Sequence, residues 1–192
     1  IDKAFTALAG PAGINIVANE RYARTDTSVE AQVLKILAAK PDAVLIGGSG
    51  TPGALPAISL AGRGYKGAVY GNHGMVNPDF LRVGGKSVEG LIAPTGPLVV
   101  VELLPDSSPV KSIASSFVKA YDAAYGVQNR NAFAGYAYDA NVLLEKAAPE
   151  AMKTAKPGTP AFRAALRNAL ENLREVAGTH GVYTMSPATH NG

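Results

Sequence analysis

Short apolar runs alternate with amphipathic stretches through the first half of the chain. Each run follows a turn rich in glycine or proline and is about four residues long, as is typical of buried parallel strands. The runs predict strands at residues 14–17, 43–46, 68–70 and 90–93. Strands that alternate with helices in this way indicate βαβ units, so we expect an α/β fold with a parallel sheet.

Helices are predicted between these strands. Residues 27–30 have the capping-box pattern, in which a hydroxyl and a carboxylate bind amides at a helix start. Residues 51–61 have Pro52 near their beginning and Gly62 after their end, as helices often do. Because Pro56 lies inside this stretch, we expect a kink or a later start.

The pattern changes after Pro94. A valine-rich run occupies residues 98–103, and three amphipathic helices follow, beginning near Ser108, Asn131 and Thr159. Residues 179–187 predict a strand that runs into a turn. We therefore expect an α/β segment that ends near residue 94 and a mainly helical segment after it.

The composition narrows the class of protein. Of the 192 residues, 47% are hydrophobic and 17% are charged, which excludes an intrinsically disordered chain. The net charge of +3 is spread along the chain without basic clusters, so no nucleic-acid partner is expected. The absence of cysteine excludes disulfides, thiolate metal sites and cysteine nucleophiles. No apolar run approaches the length of a membrane-spanning helix.

A glycine-rich loop follows the second predicted strand. Residues 48–53 read G-S-G-T-P-G, which matches the G-x-G-x-x-G motif of dinucleotide-binding proteins. Pro52 removes one amide donor, however, and Asn72 and His73 stand where a ribose-binding acid is expected. A serine hydrolase is not predicted either, because Thr51 replaces the second glycine of the nucleophile elbow. The alternatives are a tight structural turn and a helix start that binds a small carboxylate.

Two further sets of side chains are candidates for ligand contact. His73 lies at the carboxyl end of a predicted strand, where open α/β sheets bind ligands, and a structural role remains the alternative. His180 and His190 are expected to be structural or exposed, and the histidine spacing predicts no metal site. Phe133 and Tyr136 lie near a predicted helix start from which they could reach a cleft, whereas Tyr138 is expected in the core.

Several short motifs occur in order along nearly the whole chain. Together they resemble the branched-chain amino-acid class of periplasmic binding proteins, the solute receptors of ABC importers with a type I two-lobe fold. The motifs are QVLKI at 32–36, PDAVLIG at 41–47, GNHG at 71–74, PDFL at 78–81, EG at 89–90, FVKAY at 117–121, GYAYDA at 135–140 and GVY at 181–183.

The resemblance implies a three-layer fold with a parallel sheet and flanking helices. It assigns residues 1–94 to the second lobe, residues 95–178 to the helical part of the first lobe, and residues 179–192 to the return crossing. The crossings near residues 94–101 and 181–185 are the expected hinges. Because family members carry a signal peptide and further lobe sequence, we expect this chain to be a fragment that binds ligand weakly or not at all.

The resemblance also implies a binding site. Family members hold the head group of an amino acid with hydroxyls, backbone amides and an acid, and that acid aligns with His73. Because a neutral histidine does not balance an ammonium group, a small carboxylate such as an amino acid or an aromatic acid is expected. The implied ligand-binding residues are Ser49, Gly50, Thr51, His73, Gly74, Met75, Phe133 and Tyr136.

The function implied is that of a periplasmic solute-binding component, which delivers its ligand to a membrane permease without catalysis or a cofactor. A ligand-sensing domain of the same fold and, less favoured, a Rossmann-type nucleotide-binding fragment are the alternatives. With part of the fold absent, the helices between residues 108 and 176 would expose apolar faces. We therefore expect a homodimer.

Overall fold

The computed structural model describes residues 2–190. The chain divides into two compact units, a first unit at Ile1–Thr95 and a second unit at Gly96–Gly192. None of the helices within residues 2–190 combines the length and the apolar character required to span a membrane.

The first unit contains a parallel pair of strands and four helices. Its elements are α1 (Asp2–Ala9), α2 (Glu30–Ala38), β1 (Ala43–Ile46), α3 (Ala54–Gly62), β2 (Ala68–Gly71) and α4 (Pro78–Gly84). The register of β1 and β2 runs from Ala43 opposite Ala68 to Ile46 opposite Gly71. The predicted strands at 43–46 and 68–70 are thus confirmed. The predicted strand at 90–93 is reduced to one parallel bridge between Tyr70 and Ile92.

The strand predicted at residues 14–17 is wrong. A strand requires a neighbour that pairs with its amides and carbonyls. The backbone of residues 15–20 makes no backbone hydrogen bond to any other described residue. Ile14, Ile16 and Val17 are exposed. An apolar run alone therefore did not produce a strand here.

One face of the strand pair forms the core of the first unit. Side chains alternate along β1, so that Val44 and Ile46 are buried while Ala43 and Leu45 are exposed. The buried residues pack with apolar side chains of α2, α3, α4 and the intervening turns, namely Val29, Val33, Ala54, Ala57, Leu60, Met75, Phe80 and Val88. On the opposite face Leu45, Tyr70 and Ile92 are 38%, 41% and 55% exposed.

The capping box predicted at residues 27–30 does not form. Helix α2 begins at Glu30, and Val29 at the cap position offers no side-chain hydrogen bond. The Glu30 carboxylate instead accepts hydrogen bonds from Ser59 Oγ at 2.6 Å and from the Arg63 guanidinium. These bonds hold the pKa of Glu30 below its usual value. The charged Arg63, which follows α3, binds the carboxylate more strongly than a backbone amide of α2 does.

The helix predicted at residues 51–61 starts later, as the position of Pro56 indicated. A 3-10 turn at Thr51–Gly53 precedes α3. Pro56 then lies in the first turn of α3, where its missing amide hydrogen removes no helical bond. Proline therefore fits without breaking the helix.

The second unit is mainly helical. Its elements are α5 (Lys111–Tyr125), α6 (Ala132–Met152), α7 (Pro160–Glu171), β3 (Val176–Ala177) and β4 (Val182–Tyr183). Helices α6 and α7 begin as predicted, since Asn131 accepts from the amide of Ala134 and Thr159 accepts from that of Phe162. Strand β4 confirms the predicted closing strand, and its antiparallel partner β3 was not predicted.

The valine-rich run after Pro94 is not a strand. Pro97–Leu103 forms 3-10 turns, interrupted at Val100, whose φ is −128°. Leu98 and Val101 are buried and pack against Ala114 and Val118 of α5. Three residues per turn place Leu98 and Val101 on the same side, which explains why this apolar run is coiled rather than extended.

Candidate ligand-binding residues in the two units

The loop after β1 and the turn after β2 meet at one edge of the strand pair. The amide of Gly50 donates to the carbonyl of Gly74 at 2.9 Å. Asn72 Nδ2 donates to the carbonyl of Gly48 at 2.6 Å. Parallel neighbours end at the same edge of a sheet, and this edge is where open α/β sheets bind ligands.

Asn72 shapes the turn that carries His73. Its side-chain oxygen accepts a hydrogen bond from the amide of Gly74 at 2.7 Å, so it caps the 3-10 turn His73–Met75. A Cβ on Gly74 would lie 2.7 Å from both the Ser49 Cβ and Asn72 Oδ1. Glycine is therefore required where the turn presses against the loop.

Two glycines of the loop are required for different reasons, one for its backbone conformation and the other for lack of space. Gly50 has φ +60° and ψ −155°, a conformation that is essentially restricted to glycine. A Cβ on Gly48 would collide with the hydroxyl of Tyr22 and lie 2.9 Å from the Cα of Gly53. The loop is thus fixed from within by its backbone and from outside by Tyr22.

Tyr22 and Asn72 are the positioning residues that sequence reasoning missed at this edge. Tyr22 packs over the loop, donates to the carbonyl of Pro52 at 3.2 Å, and has a pKa raised by burial. The available signals were weak: Tyr22 lies in a polar segment between Arg21 and Arg24, and Asn72 follows directly after β2.

The predicted ligand-binding residues of the first unit differ in their contacts and in their exposure. Ser49, Gly50 and Gly74 are in contact, and Thr51 and His73 are exposed beside them. The hydroxyls of Ser49 and Thr51 make no hydrogen bond to any residue within 2–190. Met75, predicted as a ligand contact, is instead 1% exposed within the core, so its side chain supports the turn from below.

A cavity of about 440 Å³ lies elsewhere in the first unit, between α2 and α3. Glu30, Ser59 and Arg63, which line it with Ile58 and Gly62, are bonded to one another. It contains none of the predicted binding residues, and its polar groups already satisfy each other. We assign no ligand to it.

The aromatic candidates of the second unit share the first turns of α6. Phe133 is exposed and meets Tyr136 edge-on, with 6.3 Å between ring centroids. The ring of Tyr136 lies against that of His180 at 4.1 Å. Tyr138 packs instead on Phe117, with 4.8 Å between the ring centroids. We refer to Phe133 and Tyr136 as the aromatic face.

Asp139 is a buried carboxylate that sequence reasoning did not single out. It accepts hydrogen bonds from the amide of Thr179 at 2.6 Å, the amide of His180 at 3.0 Å and the hydroxyl of Tyr183 at 2.7 Å. The sequence did contain a signal for it. Asp139 is the one charged residue in the row of positions, three or four residues apart, that α6 buries.

His180 is half-buried and structural, as predicted. Its Nε2 lies 3.0 Å from the carbonyl oxygen of Ala132, and its Nδ1 is buried without a partner among the described residues. Burial lowers the pKa of His180, although the Ala132 carbonyl and the Asp139 charge act in the opposite direction. Burial and the hydrogen bond to Asp139 raise the pKa of Tyr183.

Within residues 2–190 no group of three or more acidic or histidine side chains is arranged to hold a metal.

Comparison with known proteins identifies the family. A family model described as periplasmic binding protein matches the chain over residues 1–192. The chain belongs to the periplasmic binding protein family. The family resemblance drawn from its motifs is confirmed. Membership in this family replaces the nucleotide-binding alternative that the glycine motif had left open. A comparison with curated proteins gave no match.

Solved structures agree with the fold of this periplasmic binding protein. An extracellular ligand-binding receptor from Rhodopseudomonas palustris HaA2 is 44% identical, with a TM-score of 0.91 over 96% of this chain. A type 1 periplasmic binding protein from Bordetella pertussis Tohama I is 21% identical, with a TM-score of 0.77 over 98% of this chain. A leucine-binding protein from Thermotoga maritima MSB8 is 22% identical, with a TM-score of 0.78 over 97% of it.

The chain spans about half the length of these structures. It covers 52%, 50% and 49% of the Rhodopseudomonas, Bordetella and Thermotoga chains, respectively. The α/β fold of type I periplasmic binding proteins, predicted from the sequence, is thus confirmed for the part that the chain represents.

Proposed function

We propose that this chain is part of an extracytoplasmic solute-binding protein that binds a small carboxylate and delivers it to the permease of an ABC importer. The observation that carries the proposal is the edge of the first unit, where Ser49, Thr51 and His73 lie at the ends of two adjacent parallel strands. Binding there requires no catalytic group and no cofactor.

The donors at this edge favour a carboxylate. Hydroxyls of Ser49 and Thr51 donate to an anion, and an imidazole such as that of His73 donates as well. The family resemblance places at His73 an acid that binds an ammonium group. Histidine binds an ammonium group less strongly than a carboxylate does. We therefore propose an aromatic acid, or an amino acid bound chiefly through its carboxylate.

We propose the aromatic face of the second unit as a further, apolar ligand contact. Exposed Phe133 and its neighbour Tyr136 present π surfaces of the kind that bind rings and aliphatic side chains. Among the similar solved structures, the Thermotoga maritima protein is titled a leucine-binding protein, and leucine is a small carboxylate with an aliphatic side chain.

The proposal includes a transport mechanism. In a two-lobe binding protein, ligand that touches both lobes stabilises the closed arrangement, and the permease recognises that arrangement. We propose that residues 1–94 belong to the second lobe, residues 95–178 to the helical part of the first lobe, and residues 179–192 to the return crossing. Because the chain spans half of its relatives, we expect affinity on the order of 1 mM or weaker.

The experiment is a comparison of charged and neutral probes. We would titrate the ¹⁵N-labelled chain with benzoate and, separately, with its neutral isostere benzamide, and follow amide chemical shifts. Leucine and leucinamide form a second pair. We expect benzoate to shift the amides of residues 49–51 and 73–74, and benzamide to shift them far less.

Substitutions localise the effect. Thr51→Val removes one hydroxyl at nearly constant volume, and His73→Ala removes the imidazole; each should weaken benzoate binding several-fold. Ser116→Ala, on the exposed side of α5, is the matched control and should bind as the wild type does. Equal response to benzoate and benzamide, or benzoate binding that both Thr51→Val and His73→Ala leave unchanged, would overturn the proposal.

A further inference from the structure

We propose that His180 is the positioning residue of the aromatic face, held against Tyr136 by the carboxylate of Asp139, and that protonation of His180 releases Tyr136. The inference rests on the proposed function, since that function gives the aromatic face its ligand. It assigns a role to a buried carboxylate and an imidazole that the binding proposal leaves without one.

The turn that carries His180 is fixed to α6. Asp139 accepts hydrogen bonds from the amides of Thr179 and His180, and the amide of Gly178 donates to the carbonyl of Gly181 at 2.8 Å. A Cβ on Gly178 would lie 2.7 Å from Asp139 Oδ2. The turn therefore lies directly on the carboxylate and has little room to shift along the helix.

The imidazole is held in a slot of defined chemistry. Because the Ala132 carbonyl only accepts, Nε2 carries the ring proton and Nδ1 is the unprotonated nitrogen. A Cβ on Gly96 would overlap Nδ1, and a Cβ on Gly135 would lie 2.6 Å from Nε2. The ring of Tyr136 lies against the imidazole at 4.1 Å. Two glycines and one aromatic ring thus leave His180 a single placement.

The slot discriminates against a charged imidazole. Protonation adds a hydrogen to Nδ1, a buried atom that has no acceptor among the described residues. Among residues 2–190, Tyr136 of α6 contacts the ring, and Tyr183 of β4 binds Asp139, whose charge favours the protonated imidazole. Desolvation outweighs that charge and lowers the pKa of His180. In mild acid the protonated ring is therefore more stable in water than in the slot, and it no longer packs against Tyr136.

The test follows the ring of Tyr136 by NMR on the whole chain. In the wild type we expect its ring protons to carry the ring-current shift of His180 and to move with pH as His180 titrates. His180→Gln should abolish both effects. His180→Phe keeps a ring but does not titrate, so the ring-current shift should persist without the pH dependence. His190→Gln removes an exposed imidazole and should change neither effect.

Ligand binding gives the second readout, with benzoate as the probe. His180→Gln should weaken benzoate binding several-fold at neutral pH. In mild acid the affinity of the wild type should fall relative to that of His180→Phe, which keeps His73 and so shares any effect of that imidazole. If His180→Gln fails to fold, Tyr183→Phe, which removes one hydrogen bond from Asp139, and His180→Phe still report on the ring.

The outcomes separate the two proposals. Tyr136 resonances that are the same in the wild type and His180→Gln, or independent of pH in the wild type, would overturn the positioning role. Equal benzoate affinity in the wild type and His180→Gln would also overturn it and leave carboxylate binding intact. If benzoate and benzamide shift the amides of residues 49–51 and 73–74 equally while Tyr136 responds as expected, the binding proposal fails and the positioning of Tyr136 by His180 stands.

Discussion

The amide of Gly50 donates a hydrogen bond to the carbonyl oxygen of Gly74, with 2.9 Å between the two atoms. This bond joins the loop after β1 to the turn after β2. It also engages an amide that a dinucleotide-binding loop would direct at a phosphate. The glycine motif at residues 48–53 therefore serves contact between two loops, which agrees with membership in a family of binding proteins.

Substitution of Gly50 tests this arrangement. Gly50→Ala places a side chain at φ +60° and ψ −155°, and should lower the free energy of unfolding by about 1–3 kcal/mol. Gly62→Ala is the matched control, because Gly62 ends α3 with open space around its Cα and should gain up to about 1 kcal/mol. Urea denaturation measures both. No loss in Gly50→Ala would contradict a conformational requirement for glycine.

Stability should depend on pH through His180. Its pKa is lower in the folded chain than the unfolded value of about 6.5, so its contribution is complete above that pH. The contribution is lost as the pH falls toward the folded pKa. We expect urea midpoints of the wild type to fall between about pH 7.5 and pH 5.5, and those of His180→Phe to fall less. Equal slopes in the two proteins would exclude His180 as the source.

Arg130 anchors the start of α6 to neighbouring segments. Its guanidinium binds both oxygens of Asp122 at 2.5 and 3.3 Å, and Glu102 at 2.6 Å. The side chains of Arg130 and Asp122 are only 17% and 15% exposed. Arg130→Lys keeps the charge but loses the two-pronged geometry. It should cost on the order of 1.5 kcal/mol of unfolding free energy.

The control for Arg130 is Arg82→Lys. Arg82 and Asp79 form an ion pair whose side chains are 71% and 70% exposed. Exposed pairs contribute little, so this substitution should leave thermal and urea midpoints almost unchanged. If the two lysine variants lose equal stability, the geometry of Arg130 contributes nothing beyond its charge.

Self-association remains a prediction. The helical faces at which a dimer was predicted leave Leu144 and Met152 of α6 exposed, and the strand pair of the first unit leaves Leu45 and Ile92 exposed. Exposed apolar patches promote association. We expect sedimentation velocity to show a dimer at high concentration. Leu144→Glu should weaken it if the helical face is used, and Ile92→Glu if the sheet face is used. A monomer at every concentration would refute both.

The sequence predicts best those elements whose signals are local. Asn131 and Thr159 cap α6 and α7 through bonds to amides three residues away, so the pattern of each segment is sufficient. Residues 14–17 failed because strand formation depends on a partner elsewhere in the chain. The capping box failed for the same reason, since Glu30 binds Ser59 of α3 and Arg63, which follows that helix.

Some features of the candidate site could likewise be predicted from the sequence, and others could not. The meeting of Gly50 with Gly74 was predictable in kind, because parallel strands end at one edge. The burial of Met75 was not, since its chain position beside exposed His73 gives no sign of which way it turns. The contacts of Asp139 were also hidden, because a single acid in a helix does not reveal partners on a later hairpin.

Those contacts have a kinetic consequence. The hydrogen bonds of Asp139 join positions that are 40, 41 and 44 residues apart, whereas the turns of α6 need only local bonds. Closing so long a loop is entropically costly, so we expect the β3–β4 hairpin to dock after the helix has formed. Interactions made this late act mainly on the unfolding rate. We therefore expect replacement of Asp139 to raise the unfolding rate of the second unit more than it lowers the folding rate.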